Sequence, residues 1–398
     1  MEINSPKLFV EINNFEYIFG VGDNDKNNEF KIIYKESIDL QGISNNRIID
    51  FDLIYNIIKK NIFLIEQKLN FTFKDVVLIL DNFNCSFINL TGYKKLNGSQ
   101  ILKDNITYIL NSLKLTLDKF EKQKKILHIF NSKYYLDKKK IENLPIGLFG
   151  DFYSHELSFC LMNSNDYKNL NNIFDKCNVK IKKVLLKNFV EGTHIINKNQ
   201  NLDTFFKVEI NENCSQLIYF ENSALKFVQN FRFGSNLVIN DISKITSLNK
   251  DIVKKILLNL KLNHTITDQE LVEKELFSNE NYRKIKKKLI FEIASARIQE
   301  LAEVFLLKNI NLASFQQKDR TVFLNINNKQ NFACFKEIYN SFFSKNDHFK
   351  LNFIENIGIE ETIDGAFKLV NFGWKKEAIP VIHAKKSIIA KFFDMLFN

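Results

Sequence analysis

Glycine and proline are scarce in this chain, whose 398 residues include 12 glycines and 3 prolines. The glycines are scattered, and no stretch has the pattern of a glycine-rich phosphate-binding loop. Such loops depend on glycine because a residue without Cβ lets main-chain N–H groups approach phosphate oxygens. The sequence therefore argues against an enzyme that holds its nucleotide in a glycine-rich loop.

Cysteine and histidine are too few and too scattered to suggest a metal site. The five cysteines are far apart, and no pair has the spacing of metal ligands. No two histidines lie four residues apart beside an acidic residue. We expect no metal centre, and unpaired cysteines are typical of a reducing compartment.

Long apolar runs are missing as well. No stretch of 18 uncharged apolar residues occurs, and the first ten residues have no basic segment followed by an apolar core. We therefore expect a chain that is neither exported nor membrane-spanning.

Positive charge is in excess, with a net charge of +10, which raises nucleic acid or an anionic membrane surface as a partner. However, the densest lysine runs, at 119–125, 138–140 and 283–288, have no interleaved stacking aromatics. The sequence has no helix-turn-helix, zinc-finger or RNA-recognition pattern. We interpret the runs as solvated faces and predict no nucleic-acid partner.

The order of predicted elements repeats. Three short β-rich runs lie between Lys7 and Tyr34, a helical pattern follows from Asp50 to Leu69, and a buried strand covers Asp75–Leu80. A second passage begins near Thr204 with three more strands and continues with a helical pattern from Asn236 to Leu260. Three strands followed by a helix, given twice, is the organisation of the actin and sugar-kinase superfamily.

A segment of different pattern separates the two passages. Between Ser86 and about Ser164 the sequence predicts a helix in "GSQILKDNITYILNSLKLTLDKF". It then predicts a strand-turn-strand in "KKILHIFNSKYYLDKKKI" and a further strand in "ELSFCLMN". We interpret this segment as a compact α+β insertion.

Several stretches, in order along the chain, resemble the cell division protein FtsA family of bacterial actin relatives. They are "ILHIFNSKYYLDKKKIENLPIGLFG", "NLNNIFDKCNV", "NDI" at 240–242, "EIASARIQELAEV" and "DGAFKLVNFG". The resemblance implies a two-lobed actin-like α/β fold with an inserted α+β subdomain and a C-terminal amphipathic helix.

The resemblance also implies a division of the chain into segments. These are a first-lobe core at 1–85, continued at 165–202 and about 355–374; the insertion at 86–164; a second-lobe core at 203–240 and 300–354; an outer subdomain of the second lobe at 241–299; a linker at 375–384; and a membrane-targeting helix at 385–398.

The loops that hold nucleotide phosphates and adenosine in the family have lost their glycines here. The matching residues are Asn13, Asn14, Phe15 and Glu16 in the first loop, Asn211, Glu212 and Asn213 in the second, and Ile326, Asn327 and Asn328 near the adenosine. Asparagine tolerates left-handed φ, so the turns can survive. A carboxylate about 5 Å from a phosphate would oppose its binding by about 3 kcal/mol at an effective dielectric near 20. ATP and Mg²⁺ are expected for the family, but we predict no cofactor and no catalytic residues in this chain.

The last residues, "AKKSIIAKFFDMLFN", have the pattern of an amphipathic helix that lies in a membrane surface. Phenylalanine-rich apolar residues fall on one arc, and lysines flank it to meet anionic headgroups. A helix docked on its own domain is the alternative. The predicted membrane contacts are Lys385, Lys386, Ile388, Ile389, Lys391, Phe392, Phe393, Leu396 and Phe397.

The resemblance implies a partner site as well. In the family, the outer subdomain of the second lobe receives the C-terminal peptide of FtsZ, and the matching residues here are Arg297 and Glu300. A surface ion pair between these two residues is the alternative, since positions three apart share one face of a helix.

The function implied is a non-enzymatic adaptor at the cytoplasmic face of the inner membrane. It would tether FtsZ to anionic lipids at the division site, polymerise with itself and recruit later division proteins. The alternatives are the related inner-membrane platform protein of type IV pilus assembly and a weakly ATP-binding actin-like ATPase.

Overall fold

The computed structural model describes residues 6–24, 30–44, 46–81, 83, 85–199, 201–259, 267–277, 281–312, 320–327, 333–345 and 349–378. The chain divides into two units: unit 1 comprises Met1–Val190 and Ile363–Asn398, and unit 2 comprises Glu191–Thr362. The predicted membrane helix at 385–398 lies outside the described residues.

The strands are numbered along the chain. They are β1 Lys7–Ile12, β2 Glu16–Asn24, β3 Phe30–Asp39, β4 Ile43–Ser44, β5 Arg47–Ile48, β6 Asp75–Leu80, β7 Ser86–Lys95, β8 Lys124–Leu136, β9 Lys139–Ile141, β10 Phe152–Asn163, β11 Lys180–Leu186, β12 Phe205–Ile210, β13 Ser215–Glu221, β14 Ala224–Phe231, β15 Arg320–Ile326 and β16 Phe349–Phe353.

The α-helices are α1 Phe51–Leu69, α2 Lys103–Phe120, α3 Ser164–Lys176, α4 Lys187–Lys198, α5 Asn236–Thr246, α6 Lys250–Asn259, α7 Lys287–Ala302, α8 Ala333–Ser344 and α9 Ile359–Phe372. Short 3₁₀ turns cover Lys274–Phe277 and Ile310–Leu312, and a π-helical turn covers Glu303–Leu307. No helix within the described residues is long and apolar enough to cross a membrane.

Unit 1 is built on a five-stranded sheet in the order β11-β6-β1-β2-β3. β1, β2 and β3 form the predicted antiparallel meander, whereas β6 runs parallel to β1 and β11 runs parallel to β6. β1 and β6 are buried along almost their whole length. Their apolar sequences therefore fit positions in the middle of a sheet, where both faces are covered. Asp50 is the N-cap of α1, since its side chain accepts a hydrogen bond from Leu53 N at 2.9 Å.

A separate four-stranded sheet, β7-β10-β8-β9, is formed by residues that lie between β6 and β11 in the chain. α2 packs closely on it at Gly92, where an added Cβ would lie 2.4 Å from the Ile109 Cγ2 atom. α3 follows β10 and packs against the helix α1 and against β11, a strand of the first sheet. The inserted α+β elements therefore interrupt the connection between two neighbouring parallel strands.

Unit 2 has a second five-stranded sheet in the order β14-β13-β12-β15-β16. β12, β13 and β14 form an antiparallel meander, β15 is parallel to β12, and β16 is parallel to β15. The topology of the first sheet is thus repeated, and the actin-like fold predicted from the element order is confirmed.

The structure differs from the sequence prediction after β14. The helical pattern from Asn236 to Leu260 forms two helices, α5 and α6, because Ser247 adopts a left-handed conformation with φ of 55°. The Asn249 side chain then accepts a hydrogen bond from Asp251 N at 3.1 Å and caps the start of α6. Leu260 lies outside the described residues.

Candidate functional site

The turn between β1 and β2 corresponds to the first phosphate loop of the resemblance. Four residues, Asn13 to Glu16, connect the paired residues Ile12 and Tyr17. Asn13 N donates to Glu16 O at 3.1 Å and closes the turn. The Asn13 Oδ1 atom accepts hydrogen bonds from the main-chain N–H groups of Phe15 and Glu16, both at 2.9 Å. Two amides of this turn are therefore occupied by a side chain of the turn itself.

The tip of the same turn has a bulky and a charged residue where small residues would be needed to approach an anion. The Phe15 side chain is 66% exposed. Glu16 follows it in sequence and is the first residue of β2. An anion at this tip would meet an aromatic ring and a carboxylate instead of free amides.

A buried acidic residue precedes this turn. Glu11, in β1, is 2% exposed, and its carboxylate accepts hydrogen bonds from Lys187 Nζ at 2.7 Å and Asn13 Nδ2 at 3.2 Å. Lys187 is the first residue of α4. A buried carboxylate is costly unless it is paired and hydrogen-bonded, so the contacts with Lys187 and Asn13 offset the cost of burying Glu11.

The turn between β12 and β13 corresponds to the second loop and has the same length. Asn211 to Cys214 connect the paired residues Ile210 and Ser215. Asn211 N donates to Cys214 O at 2.9 Å, which repeats the closure of the first turn. Sequence reasoning identified both turns, and the structure places them at the same position in the two sheets.

The second turn is packed against the start of α5. Ser235 N donates to Asn211 O and Asn236 N donates to Glu212 O, both at 2.9 Å. An added Cβ on Gly234 would lie 2.0 Å from the Asn211 carbonyl oxygen, so only glycine allows this approach. Asn236 Nδ2 also donates to Asn213 Oδ1 at 2.9 Å. The first amides of α5, which could otherwise receive an anion, are occupied by the turn.

Unit 2 also has a buried charge cluster. Lys207, in β12, is 2% exposed and contacts the carboxylates of Glu191 and Glu209, the latter at 2.5 Å. Burial alone would lower the pKa of Lys207, but the two carboxylates outweigh it and the pKa is raised. Lys207 is therefore a charged counterion held within the unit.

The third predicted loop is only partly described. Asn327 N donates to Ile210 O at 2.9 Å and extends the pairing of β15 with β12. Ile326 is the last residue of β15. Asn328 lies outside the described residues, as do the predicted membrane contacts from Lys385 to Phe397.

The predicted partner residues lie on α7. Arg297 Nη1 donates to Glu300 Oε2 at 2.7 Å, and Arg297 Nε donates to Asp241 Oδ2 on α5. The Arg297 side chain is 28% exposed and the Glu300 side chain is 58% exposed. The two residues are thus together on one accessible face, with the guanidinium oriented by Asp241.

Sequence reasoning missed Lys207, Glu191 and the role of Gly234. A signal for Lys207 was present, because a lysine and a glutamate interrupt the apolar strand "FFKVEI" on either side of Val208. Glu191 could not be found in this way, since it lies on α4, 16 residues before Lys207, and no local pattern pairs the two. Within the described ranges no group of three or more histidine, cysteine, aspartate or glutamate side chains could hold a metal ion.

Comparison with known proteins finds similarity to FtsA at low identity. The chain is 22% identical over 296 residues to cell division protein FtsA of Buchnera aphidicola subsp. Schizaphis graminum, which covers 73% of this chain and 70% of the relative. It is 20% identical over 221 residues to FtsA of Neisseria meningitidis serogroup B, which covers 55% of this chain and about half, 53%, of that relative. No protein-family model matches the chain.

Among solved structures, the fold is similar to a PilM-PilN type IV pilus biogenesis complex. The TM-score is 0.52 at 9% identity, and the superposition covers 94% of this chain and 99% of the solved one. At this identity the likeness concerns the fold alone. The chain therefore has an actin-like fold and is similar in sequence to FtsA.

Proposed function

We propose that this protein is a cell division adaptor of the FtsA type. It tethers FtsZ filaments to the cytoplasmic face of the inner membrane at the division site, associates with itself, and recruits later division proteins. The observation that carries the proposal is the sequence similarity to FtsA over 73% of the chain. The α+β sheet inserted between β6 and β11, where the resemblance to FtsA implies it, supports the same proposal.

The adaptor acts without nucleotide chemistry in this proposal. The residues of both turns do not fit a nucleotide phosphate, because amides that could receive it already have partners within the chain. These are the amides of Asn13, Phe15 and Glu16 in the first turn, Asn211 in the second, and Ser235 and Asn236 at the start of α5. Glu16 and Glu212 add negative charge at the same turns. In this proposal neither turn is held by ATP or Mg²⁺, and the protein acts as an adaptor and not as an enzyme.

The partner surface of the proposal is the face of α7 with Arg297 and Glu300, which receives the C-terminal peptide of FtsZ. Asp241 fixes the guanidinium by its contact with Nε, while Glu300 contacts only Nη1. Arginine has five N–H donors in a rigid fork, so two contacts leave donors for an acidic group of a peptide. A charge-assisted hydrogen bond of this kind contributes about 1.5–3 kcal/mol.

The partner surface is tested with Arg297→Ala and a labelled FtsZ C-terminal peptide. We expect the variant to bind the peptide roughly tenfold more weakly, which corresponds to one charge-assisted hydrogen bond. The matched control is Lys368→Ala, which removes an exposed ion pair with Asp364 on α9. If Arg297→Ala folds normally and binds the peptide with unchanged affinity, Arg297 serves only the α5–α7 contact.

The membrane contact of the proposal is the C-terminal segment with Phe392, Phe393 and Leu396. Each apolar side chain contributes about 1.5–3 kcal/mol if fully buried, and each flanking lysine about 1 kcal/mol near an anionic surface. Ordering some ten residues costs about 1–2 kcal/mol each, so one helix binds reversibly. Filament formation multiplies the helices and raises the avidity.

The whole function is tested by flotation of FtsZ filaments with anionic vesicles. The full chain should bring FtsZ to the vesicles, and a chain without residues 387–398 should bind FtsZ but leave it in solution. Arg297→Ala should float with vesicles but carry less FtsZ. If the shortened chain still floats, or if it unfolds, the tether proposal is wrong.

The type IV pilus platform is the second candidate, because the fold similarity to the PilM-PilN complex covers nearly all of both chains. The two candidates differ in their partner. Capture of FtsZ by the purified chain favours the division adaptor, whereas capture of a PilN peptide without FtsZ binding favours the platform.

A further inference from the structure

A short segment after α9 pairs with the edge of the inserted sheet. α9 ends at Phe372 and is followed by Gly373, whose φ of 71° suits glycine. A turn then closes with Glu377 N donating to Trp374 O at 2.9 Å. Glu377 then forms an antiparallel bridge with Phe130 of β8. Asn131 N donates to Lys376 O and Ala378 N donates to Ile129 O, both at 2.7 Å.

The Glu377 side chain strengthens this pairing from two directions. One carboxylate oxygen lies 2.8 Å from His128 Nδ1 on β8, and the other accepts from Lys183 Nζ at 2.8 Å. Lys183 belongs to β11, the edge strand of the first sheet of unit 1. Although burial opposes it, His128 and Lys183 lower the pKa of Glu377 to about 2. The contact therefore joins the segment to strands of two sheets.

The segment is also held by apolar and aromatic contacts. Ala378 packs against the cluster of Leu110, Leu117, Ile129, Leu157 and Phe159 in the inserted subdomain. Lys376 Nζ lies 4.9 Å from the centre of the Tyr134 ring.

We propose that residues 374–378 form a strand clip. Its docking surface is the edge of β8 at residues 129–131. The clip fixes the base of the C-terminal tail to the inserted subdomain and to β11. The clip overlaps the start of the predicted linker at 375–384, and the residues to which the membrane contact is assigned begin at Lys385. A tail bound to a membrane would therefore pull on β8 and β11 through the clip and not on α9 alone. This consequence rests on the proposed function.

Hydrogen–deuterium exchange tests the clip in the full chain, both free and bound to anionic vesicles. In the free wild type, the amides of Asn131 and Ala378 should be protected. Glu377→Gln should speed their exchange about tenfold, which is the effect of losing a hydrogen bond to a charged group. The exchange of the β8 amides that pair with β10 should not change. The exposed Glu142→Gln is the matched control and should leave both amides unchanged.

A second variant keeps the test decisive if Glu377→Gln does not fold. Lys183→Met removes only the contact to β11 and should speed the exchange of Ala378 by less than Glu377→Gln does. Free-peptide exchange of Ala378 in the wild type, or unchanged exchange in both variants, would overturn the clip.

The vesicle-bound protein separates the clip from the membrane role. Protection of Ala378 should persist on vesicles, and its loss there would contradict the fixed base of the tail. If the chain does not bind vesicles, the membrane role fails while the exchange data on the free chain still decide the clip.

Discussion

The two five-stranded sheets share strand order and direction, and their first turns have equal length, yet the turns are stabilised in different ways. In unit 1 the Asn13 side chain occupies two amides of its own turn. In unit 2 the carbonyls of Asn211 and Glu212 accept from the first amides of α5. Both turns are closed by one main-chain hydrogen bond, but the first is further held by its own side chain and the second by α5. The same topology is thus stabilised at its two first turns by different sets of internal bonds.

The buried charges show the same contrast. Glu11 and Glu209 are each the second-last residue of the first strand of their sheet. Glu11 is paired with Lys187 from α4, whereas Glu209 is paired with Lys207 of its own strand, which also contacts Glu191. In unit 2 the lysine is fully buried between two carboxylates. We therefore expect the charge cluster of unit 2 to be the more sensitive to mutation.

The largest expected effect is the loss of the Lys207 ammonium group. Lys207→Met leaves Glu191 and Glu209 without their buried counterion, and we expect the free energy of unfolding of unit 2 to fall by about 3–5 kcal/mol. Lys187→Met in unit 1 should cost less, because Lys187 is partly exposed and Asn13 still donates to Glu11. Urea unfolding of both variants measures the difference, and equal losses would break the contrast between the units.

A smaller effect is expected at the second turn. Gly234→Ala places a Cβ against the Asn211 carbonyl oxygen, and overpacking of this kind costs about 1–3 kcal/mol. Gly358→Ala is the matched control, since its nearest atom, Glu361 Oε2, is 3.8 Å away. A Gly234→Ala protein as stable as this control would show that the turn and α5 are not closely packed in solution.

The smallest effect is expected at the first turn. Asn13→Ala removes the acceptor for two amides and should cost about 1–2 kcal/mol. Asn14→Ala provides the comparison, because the Asn14 side chain makes no hydrogen bond to the described part of the chain. In thermal unfolding, the Asn13→Ala variant should therefore have a lower melting temperature than the Asn14→Ala variant. Identical melting temperatures would argue against the capping role of Asn13.

The sequence predicted the two meanders, the strand at Asp75–Leu80 and the repeated order well, because their apolar periodicity is local information. The meanders at Lys7 to Tyr34 and after Thr204 needed no long-range knowledge. The break at Ser247 was missed, since the apolar period continues through it and only the left-handed turn separates α5 from α6.

The two turns could be located from the sequence, but their bonds could not. The asparagines at Asn13 and Asn211 were readable, whereas the bonds come from the Asn13 side chain in one turn and from α5 in the other. The contact between Arg297 and Asp241 joins residues 56 apart in sequence. Its pairing depends on how α5 packs against α7, which no local pattern contains.

Calorimetric titration of the purified full chain with ATP and Mg²⁺ tests most directly whether the two turns bind a nucleotide. We predict no binding heat beyond dilution at about 1 mM ATP, where even a weak complex would be visible. We also expect the amount of FtsZ recruited to vesicles to be the same with and without ATP. Saturable ATP binding in the micromolar range would contradict the account, because Asn13, Asn211 and the start of α5 would then have to release their internal bonds.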